Sequence, residues 1–369
     1  MASTFGNALR VTIFGQSHSP AIGCVVEGLP SGFTVDHAAL AAFMARRAPG
    51  TSSWSTPRKE ADAVRIVAGL NPDGETCGAP LTCIIENTNA HSADYDLVRR
   101  VPRPGHADLT AQEKWHGAQD VAGGGHFSGR LTAPLCAAGG IALQMLEARG
   151  VRVAAHLAEV AGICDEAFAA RTCDGELLAE QMARLSDGRS FPVLSDEAGT
   201  RMLDAIAVPK ADGDSLGGVV ECVATDMPAG IGDPLFDGVE SLIARIAFGV
   251  PAVKGIEFGA GFEAARMHGS QNNDPYGLDG QGHFIPLKND AGGNLGGITT
   301  GAPVLFRMAV KPTPSIAREQ QSVDLVSQEP AALSVPGRHD PCIAPRAVPV
   351  AEAVMALALL DAWLLGGRA

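Results

Sequence analysis

Short runs of apolar and alternating residues dominate the first third of the chain and predict strands there. These runs cover residues 10–15, 22–27, 63–68 and 81–86. Between the second and third runs, Asp36 is placed to cap a helix that ends at Arg47, just before a Pro-Gly pair. The stretch 95–110 is dense in Arg and Pro and predicts a loop.

Two later segments, 131–149 and 347–365, are apolar on nearly every side of a helix. A helix of that kind must be covered all round. The pattern therefore favours an α/β (α+β) fold with central helices between sheets, rather than a doubly wound sheet with helices outside. The second segment contains Glu352 and Asp361 and is short for a membrane span, so we expect a core helix. No linker divides the chain, which predicts one domain over residues 1–369.

The middle of the chain predicts an extended stretch at 151–163 and helices at 176–186 and 195–207. Residues 215–221, followed by Pro-Ala-Gly at 228–230, then repeat features of residues 17–32. A duplicated strand-turn-helix unit is one explanation of this echo. The second copy continues with a predicted helix at 236–248 and a strand at 253–258, and it has no counterpart of His18.

Composition excludes several classes of protein. With 369 residues, 46% hydrophobic and 19% charged, the chain is long enough to bury a large core. A net charge of −13 argues against nucleic acid or an acidic membrane surface as partners. The eight cysteines form no Cys-x-x-Cys pair, so we expect reduced thiols and a cytoplasmic location, and no metal-binding motif is present.

The clearest candidate site is the stretch Ala-Gly-Gly-Gly-His-Phe-Ser-Gly-Arg at 122–130. Its glycines permit tight turns and close approach of a ligand, and Ser128 is placed to cap the following helix. Backbone N–H groups at a helix start, with His126 and Arg130 among them, indicate an anion site. The stretch matches neither a Walker loop nor the dinucleotide fingerprint.

Four further polar loops bring titratable or cationic groups to Gly- or Pro-rich turns. They are residues 15–19, 46–50, 103–108 and 337–341. Two of them carry the histidines His18 and His106, which one fold can use as separate acids. Their arginines, with Arg130, predict a cationic basin for a small substrate with several negative charges, although surface ion pairs explain them equally well.

A second glycine-rich loop at 289–297 is followed by Lys311-Pro312-Thr313-Pro314-Ser315. Bare backbone accommodates a flat group, and the Lys, Thr and Ser side chains offer donors to a phosphate. Together these stretches predict a site for a nucleotide-like cofactor. A serine hydrolase built from Ser17, His106 or His18, and Asp340 is an alternative, although the turn at Ser17 lacks the last glycine of a nucleophile elbow.

Taken in order, these motifs resemble those of the chorismate synthase family. The matching blocks are Phe14-Gly15-Gln16-Ser17-His18, Arg46-Arg47-Ala48-Pro49-Gly50, Arg103-Pro104-Gly105-His106-Ala107-Asp108, Gly123-Gly124-Gly125, Ser128-Gly129-Arg130, Ala252-Val253-Lys254-Gly255, Ala291-Gly292-Gly293, Lys311-Pro312-Thr313 and Gly337-Arg338-His339-Asp340-Pro341. The resemblance implies a β-α-β sandwich with antiparallel sheets that assembles as a homotetramer. It also implies reduced FMN as cofactor and 5-enolpyruvylshikimate-3-phosphate as substrate, with a 1,4-elimination of phosphate and no net redox change.

The same resemblance implies catalytic roles for five residues. His106 would protonate the departing phosphate, and His18 would protonate or steady the reduced flavin. Asp340 would act with the flavin N5 atom in removing the ring hydrogen. Ser17 and Ser128 would belong to the proton network between Asp340 and N5.

Binding roles follow by motif position. Substrate would contact Arg46, Arg47, Arg130 and Arg338. FMN would contact Arg47, His126, Phe127, Ser128, Ala252, Gly296, Lys311, Pro312, Thr313, Pro314, Ser315 and Arg338. The chain departs from the common family pattern at Gln16, Ser53 and His126, where many members have Glu, Arg and Arg.

Two questions stay open at this stage. Reduced flavin could come from NADPH used by the protein itself or from an external flavin reductase. The second functional hypothesis is a non-catalytic FMN-binding relative, but such a protein should have lost His18, His106 or Asp340 by substitution. All three are present, so we expect an active enzyme.

Overall fold

Two five-stranded sheets in this computed structural model enclose a layer of helices. The structure describes residues 3–50, 54, 62–88, 96–186, 189–335 and 340–366. The strands are β1 Thr4–Phe5, β2 Arg10–Phe14, β3 Ala21–Glu27, β4 Arg65–Ala68, β5 Leu81–Glu86, β6 Arg152–Val160, β7 Ile163–Cys164, β8 Gly218–Thr225, β9 Val253–Phe258, β10 Tyr276–Leu278, β11 Phe284–Pro286, β12 Asn294–Leu295, β13 Ile298–Thr299, β14 Val304–Val310, β15 Gln320–Val323 and β16 Pro330–Leu333. The α-helices are α1 His37–Arg47, α2 Asp96–Arg100, α3 Asp108–Trp115, α4 Thr132–Glu147, α5 Gly175–Ser186, α6 Asp196–Ala211, α7 Val239–Ala247, α8 Gly269–Asn272 and α9 Ala344–Leu365.

The first sheet has the order β1-β2-β3-β5-β4, with every pair antiparallel. Every second residue from Ile22 to Val26 in β3 and from Leu81 to Ile85 in β5 is buried. This period of two places one apolar face of the sheet on the core. The four strands predicted in the first third of the chain are confirmed, with β4 beginning at Arg65 rather than at residue 63.

The second sheet has the order β7-β6-β8-β14-β9 and is also antiparallel. The predicted extended stretch at 151–163 forms β6 and β7, and the strand predicted at 253–258 is β9. Sequence reasoning missed β14. Val304, Phe306, Met308 and Val310 bury one face, and on the other face Leu305 packs into a second apolar cluster with α5. The apolar Leu305 and Ala309 on that outer face hide the alternation in the sequence.

Both sheets repeat one order of elements. When the shorter elements and insertions are left out, the first half is β2, β3, α1, β4, β5, α4 and the second is β6, β8, α7, β9, β14, α9. In each sheet these four strands lie in the order first, second, fourth, third. The turns after β3 and β8 also match, since φ is positive at Gly28 and Gly32 (84° and 82°) and at Asp226 and Gly230 (64° and 90°). The echo in sequence thus reflects a repeated topology. The Gly-Val-Val-Glu part of that echo is out of register, because Glu27 ends β3 whereas Glu221 lies buried inside β8.

The central layer is built on the two apolar helices. Helix α4 packs on β3 and β5 of the first sheet, α9 packs on β6 and β8 of the second, and the two helices pack on each other. One apolar core runs through all three layers. Helix α9 is long and apolar enough to span a bilayer, but 83% of its most apolar window is buried inside the protein. The prediction of a layered sandwich with a core helix near the C-terminus is confirmed.

Among the loops and shorter helices, some predictions are confirmed and others are wrong. Asp36 caps α1 as expected, accepting hydrogen bonds from the backbone N–H groups of Ala38 and Ala39 at 2.8 and 3.0 Å. The predicted loop at 95–110 instead contains α2 and the start of α3. The prediction was wrong because Arg and Pro were taken as breakers, although each Pro there lies between the helices rather than within one.

Candidate active site

A cavity of about 930 Å³ is lined by loops that come from many parts of the chain. It lies at the upper end of the size range of small-molecule sites, which leaves room for more than one ligand. The loops that line it include the turn after β2, the end of α1, the segment from Arg103 to Trp115 and the glycine-rich stretch at 122–130. Residues 248–254, 310–311, 313–315 and several between 340 and 350 also line it.

The glycine loop forms the floor of this cavity. Gly123, Gly124 and Gly125 have φ values of 64°, 103° and 54°, which side-chain-bearing residues rarely adopt. The backbone N–H of Ser17 donates to the carbonyl of Gly125 at 3.1 Å and ties the turn after β2 to this loop. Ser128 accepts a hydrogen bond from the backbone N–H of Arg130 at 3.2 Å and caps a short 3-10 turn that leads into α4.

Both predicted catalytic histidines lie against this glycine loop. A Cβ added to Gly123 would lie 2.6 Å from Ser17 Oγ and 2.7 Å from His18 Nε2. A Cβ added to Gly124 would lie 3.1 Å from His106 Nε2. The two imidazoles therefore approach successive residues of one backbone segment, and only glycine leaves space for them there.

His106 is anchored from behind by a buried ion pair. Its Nδ1 lies 2.6 Å from Asp108 Oδ1, and Asp108 also receives the guanidinium of Arg103 at 2.7 and 2.8 Å. Burial alone would raise the pKa of Asp108, but hydrogen bonds from Arg103 and His106 and their charges hold it well below its usual range. Asp108 is thus an ionised acceptor, so Nδ1 of His106 is the donor and Nε2 faces the glycine loop.

A second buried carboxylate organises the cationic wall. Arg47 and Arg130 both line the cavity, and each donates from one guanidinium nitrogen to a different oxygen of Asp62. Arg47 also donates to Thr132 Oγ1 at 3.1 Å, and Arg130 to Asn87 Oδ1 at 3.0 Å. Burial alone would raise the pKa of Asp62, but the charges and hydrogen bonds of Arg47 and Arg130 outweigh it and lower the pKa. Two positive charges on one negative charge leave this wall cationic.

Arg46 lies elsewhere. Its guanidinium donates to both oxygens of Glu352 on α9 at 2.6 and 2.7 Å, and Glu352 also accepts from the backbone N–H of Ala155 at 3.0 Å. Adjacent residues on a helix point about 100° apart, so Arg47 faces the cavity while Arg46 faces the helical layer. This geometry gives no support to the substrate contact predicted for Arg46, and we do not carry that contact further.

Asp340 lines the cavity and is held by the first turn of α9. Arg346 donates from Nη1 to Asp340 Oδ2 at 2.5 Å and from Nε to the carbonyl of Arg47 at 3.0 Å. Burial lowers the pKa of the Arg346 guanidinium, although the nearby Asp340 carboxylate opposes that change. Arg346 therefore connects the acidic side of the cavity to the end of α1.

The stretch from Lys311 to Ser315 supplies donors to another part of the wall. Lys311 donates to the carbonyl of Gly105, and Ser315 Oγ lies 3.2 Å from the guanidinium of Arg103. The buried hydroxyl of Thr313 has no hydrogen-bond partner among the described residues. Burial and the charge of Lys254 lower the pKa of Lys311. Two ammonium groups and an unsatisfied hydroxyl at one wall are the donor set that a phosphate requires.

An aromatic pair completes the lining. The rings of Trp115 and Phe127 lie 5.8 Å apart, and the Lys114 ammonium lies 5.6 Å from the Trp115 ring. His126 donates from Nδ1 to the carbonyl of Gly15 at 3.2 Å, and its Nε2 lies 3.1 Å from Ser3 Oγ. The Trp115 and Phe127 rings are tilted by 45° to each other and give an aromatic surface that suits contact with a ring system.

Most of the residues predicted from sequence meet in this one cavity. Its wall includes Ser17, Arg47, His106, His126, Phe127, Ser128, Arg130, Ala252, Lys311, Thr313, Pro314, Ser315 and Asp340. His18 lies beside the wall, against Gly123. Arg46, Pro312 and Gly296 are not part of the wall, and Arg338 and Ser53 lie outside the described residues.

Gly296 belongs to the β12–β13 hairpin, whose neighbour Gly297 packs against Gly232 and Gly238. The predicted FMN contact of Gly296 therefore has no support from the cavity lining. Pro312 packs instead against Gly217, at the start of β8.

Sequence reasoning missed several residues of the site. Asp62 and Arg346 form its ion pairs, Trp115 its aromatic surface and Lys254 its second ammonium group. The one available signal was at Arg346, a charge in the first turn of an otherwise apolar helix. No group of His, Cys, Asp and Glu within the described part of the chain has the arrangement of a metal site.

The sandwich and its cavity are those of an enzyme that acts on a small molecule. A family model described as chorismate synthase matches residues 9–364. The chain is 48% identical over 368 residues to the chorismate synthase of Lancefieldella parvula, with 98% of this chain and 96% of that protein covered. It is 43% identical over 364 residues to the chorismate synthase of Korarchaeum cryptofilum, with 97% and 96% covered. The chain belongs to the chorismate synthase family, which is a family of lyases.

A solved structure gives independent support for the fold. A crystal structure of a chorismate synthase matches this chain with a TM-score of 0.76 at 23% sequence identity, covering 98% of this chain and 93% of the other. The resemblance inferred from the motifs and the α/β fold class are both confirmed.

Proposed function

We propose that the protein converts 5-enolpyruvylshikimate-3-phosphate to chorismate by 1,4-elimination of phosphate, with reduced FMN bound beside the substrate. One observation carries this proposal: a single cavity combines His106, with Nε2 turned to the glycine loop, and the guanidinium groups of Arg47 and Arg130. A phosphate ester with two carboxylates needs cationic partners, and a departing phosphate needs an acid.

The residues at Lys311, Thr313 and Ser315 fit the phosphate of FMN. The unsatisfied hydroxyl of Thr313 supports this assignment, because a buried donor without a partner is costly unless a ligand accepts from it. The surface of Trp115 and Phe127 fits a flat ring. When bound, reduced FMN supplies electron density to the substrate ring and recovers it, so that the reaction has no net redox change.

The cationic wall has the task of binding and orienting the substrate. Arg47 and Arg130 hold its anionic groups while Asp62 fixes both guanidinium planes. Preorganised charge of this kind requires no rearrangement at the moment of reaction. Arg338 stays a proposed contact of substrate and cofactor, on motif position alone.

Proton transfer is assigned to groups around the glycine loop. His106 holds a proton at Nε2 for the oxygen of the departing phosphate. Asp340 takes up the proton that leaves the substrate ring, with the hydroxyls of Ser17 and Ser128 as relays. His18 holds a proton at Nε2 close to the cofactor. Asp340 and His106 come from different loops of the cavity, which supports separate roles for them.

The hydrolase alternative has less support. The carboxylate that binds His106 is Asp108, whereas Asp340 contacts Arg346. No hydrogen bond among the described residues joins Ser17 Oγ to His106. A Ser17-His106-Asp340 triad is therefore not assembled.

We also propose that the chain acts as one domain and as a cytoplasmic homotetramer. The continuous core across both sheets supports the first point, and eight cysteines without a disulfide support the location. Leu235 and Phe236, which are 79% and 88% exposed, are apolar residues that an interface would cover. Sedimentation would test the assembly. The source of reduced flavin, NADPH or an external reductase, is tested below.

The deciding experiment is anaerobic turnover of 5-enolpyruvylshikimate-3-phosphate, with chorismate and phosphate followed together. We expect equal amounts of both products with chemically reduced FMN and neither without flavin. Phosphate released without flavin would favour a hydrolase, and binding of FMN without turnover would favour a non-catalytic relative. Repeating the reaction with NADPH and oxidised FMN separates a self-reducing enzyme from one that depends on a reductase.

A further inference from the structure

Asp108 lies at the centre of a hydrogen-bond network behind the cavity wall: its partners Arg103 and His106 line the cavity, and Asp108 is not among the lining residues. Its Oδ2 accepts from Arg103 Nε at 2.7 Å and from the Arg103 backbone N–H at 3.0 Å. Its Oδ1 accepts from Arg103 Nη2 at 2.8 Å and from His106 Nδ1 at 2.6 Å. The Asp108 and Arg103 side chains are 6% and 3% exposed, and the His106 side chain is 12% exposed.

Four donors on two oxygens fix the carboxylate in one orientation. An ionised carboxylate only accepts hydrogen bonds, so the ring proton of neutral His106 stays on Nδ1. Nε2 is then the atom that gains and loses the second proton. Its position beside Gly124, in the cavity floor, is the consequence of the ring being held at Nδ1.

We propose that Asp108 is a positioning residue that acts through His106: it fixes the Nδ1–H tautomer and aims Nε2 into the cavity. This inference rests on the proposed function and deepens it. In the reaction, the C–O bond to phosphate breaks with its electron pair going to oxygen. That oxygen accepts the proton from Nε2, and His106 becomes neutral with Nδ1–H retained.

Arg103 has a supporting task in this arrangement. Its guanidinium donates to both oxygens of Asp108, and its Nη2 also lies 3.2 Å from His106 Nδ1, so the carboxylate stays ionised and takes no proton itself. Arg103 also lies 3.2 Å from Ser315 Oγ, which joins the acid loop to the stretch assigned to the cofactor phosphate. The network therefore sets where His106 lies relative to the proposed substrate and the proposed cofactor.

Replacing Asp108→Asn tests the proposal while keeping the shape of the side chain. An amide that accepts from Arg103 turns its NH₂ group towards His106, which then must accept at Nδ1 and carry its proton on Nε2. We expect kcat to fall about 10²–10³-fold with little change in KM, because Asp108 does not touch substrate.

Two further comparisons separate positioning from a structural role. His106→Ala should slow turnover about 10²–10⁴-fold, and adding Asp108→Asn to it should cost almost nothing more, because the second residue acts through the first. Asp108→Glu should recover part of the rate. The matched control is Asp324→Asn, which removes the ion pair of Asp324 with Arg100 at 2.5 Å, on a neighbouring segment, and should leave kcat unchanged.

A readout that needs no turnover completes the test. Nitrogen-15 NMR of the His106 ring in the free protein should show the Nδ1–H tautomer in the wild type and the Nε2–H tautomer in the Asp108→Asn variant. If the tautomer is the same in both proteins, or if the two substitutions add in full, the positioning role is wrong. Failure of the wild type to form chorismate would instead count against the proposed function, and the tautomer result would stand.

Discussion

Gly124 lies so close to His106 that a Cβ at position 124 would come within 3.1 Å of the imidazole Nε2. The residue also has φ of 103°, outside the range that side-chain-bearing residues favour. Two separate constraints therefore require glycine here. One is conformational, and the other is the space needed by the proton-bearing nitrogen.

The first prediction separates these constraints. Gly124→Ala should displace the His106 ring and reduce kcat at least about 10-fold, since small misplacements of a catalytic group are costly. The matched control is Gly32→Ala, at φ of 82° with nothing within 4 Å of its Cβ position. That variant should lose some stability from strain but keep its kcat. Equal kcat values in the two variants would show that the contact with His106 has no role.

The second prediction concerns Asp62, the buried carboxylate shared by Arg47 and Arg130. Asp62→Asn removes the buried negative charge that two buried guanidinium groups share, so we expect the free energy of unfolding to fall by about 3–5 kcal/mol. The pKa of Asp62 is lowered in the folded state, so its contribution is present above about pH 3.9 and is lost as the pH falls through the folded pKa. Urea unfolding at neutral and acid pH measures both effects.

A matched control for this prediction is Asp226→Asn, which removes an ion pair with Arg152 at 3.5 Å in which both side chains are more than half exposed. Exposed pairs of this kind contribute at most about 1 kcal/mol. The difference between wild type and Asp62→Asn should shrink towards acid pH. A difference that is constant with pH would mean that the charge of Asp62 is not what matters.

The sequence predicted the architecture and most of the site for identifiable reasons. Helices that are apolar all round require cover on both sides, so α4 and α9 indicated a middle layer. The glycine loop and both histidines could be recognised as site residues because each lies in a short motif of its own. Arg46 and Arg47 carry the same local signal, yet only Arg47 reaches the cavity, because the direction of each depends on Asp62 and Glu352, which are distant in sequence.

Residues with tertiary roles had no such signal. Asp62 has no motif of its own, and its importance comes from contact with Arg130, which is 68 positions away. The Gly-Val-Val-Glu echo misled for a related reason: Glu221 is buried within β8 and binds His156, whereas Glu27 lies exposed at the end of β3. A short match between two segments shows only that they share residue types. The register of a strand is set by the strands that pair with it.

The third prediction tests the packing of the helical layer. A Cβ at Gly139 of α4 would lie 2.3 Å from the Cβ of Ala353 on α9, so the two helix backbones meet directly at this point. Gly139→Ala should lower the free energy of unfolding by about 1–3 kcal/mol through overpacking, despite the better helix propensity of alanine. Thermal or urea unfolding measures the change.

The matched control is Gly175→Ala at the start of α5, where nothing lies within 4 Å of the added Cβ. This variant should be as stable as the wild type or slightly more stable. If Gly139→Ala behaves in the same way, the close approach of α4 and α9 is not a constraint on the sequence.

His156 lies outside the active site and carries the fourth prediction. It is fully buried between two carboxylates, with Nδ1 at 2.8 Å from Asp165 Oδ2 and Nε2 at 3.1 Å from Glu221 Oε2. Phe168 packs its ring edge-on against the imidazole at 4.7 Å. Burial alone would lower the pKa of His156, but hydrogen bonds to Asp165 and Glu221 outweigh it and raise the pKa.

A raised folded-state pKa gives stability that is fully present below the unfolded value of about 6.5 and is lost as the pH rises through the folded value. Within that window, the free energy of unfolding should fall by up to about 1.4 kcal/mol per pH unit. His156→Gln cannot become charged, so its unfolding free energy should lack this slope when both proteins are unfolded in urea across the range. Parallel curves for the two proteins would show that His156 is neutral in the fold, with one carboxylate holding the proton instead.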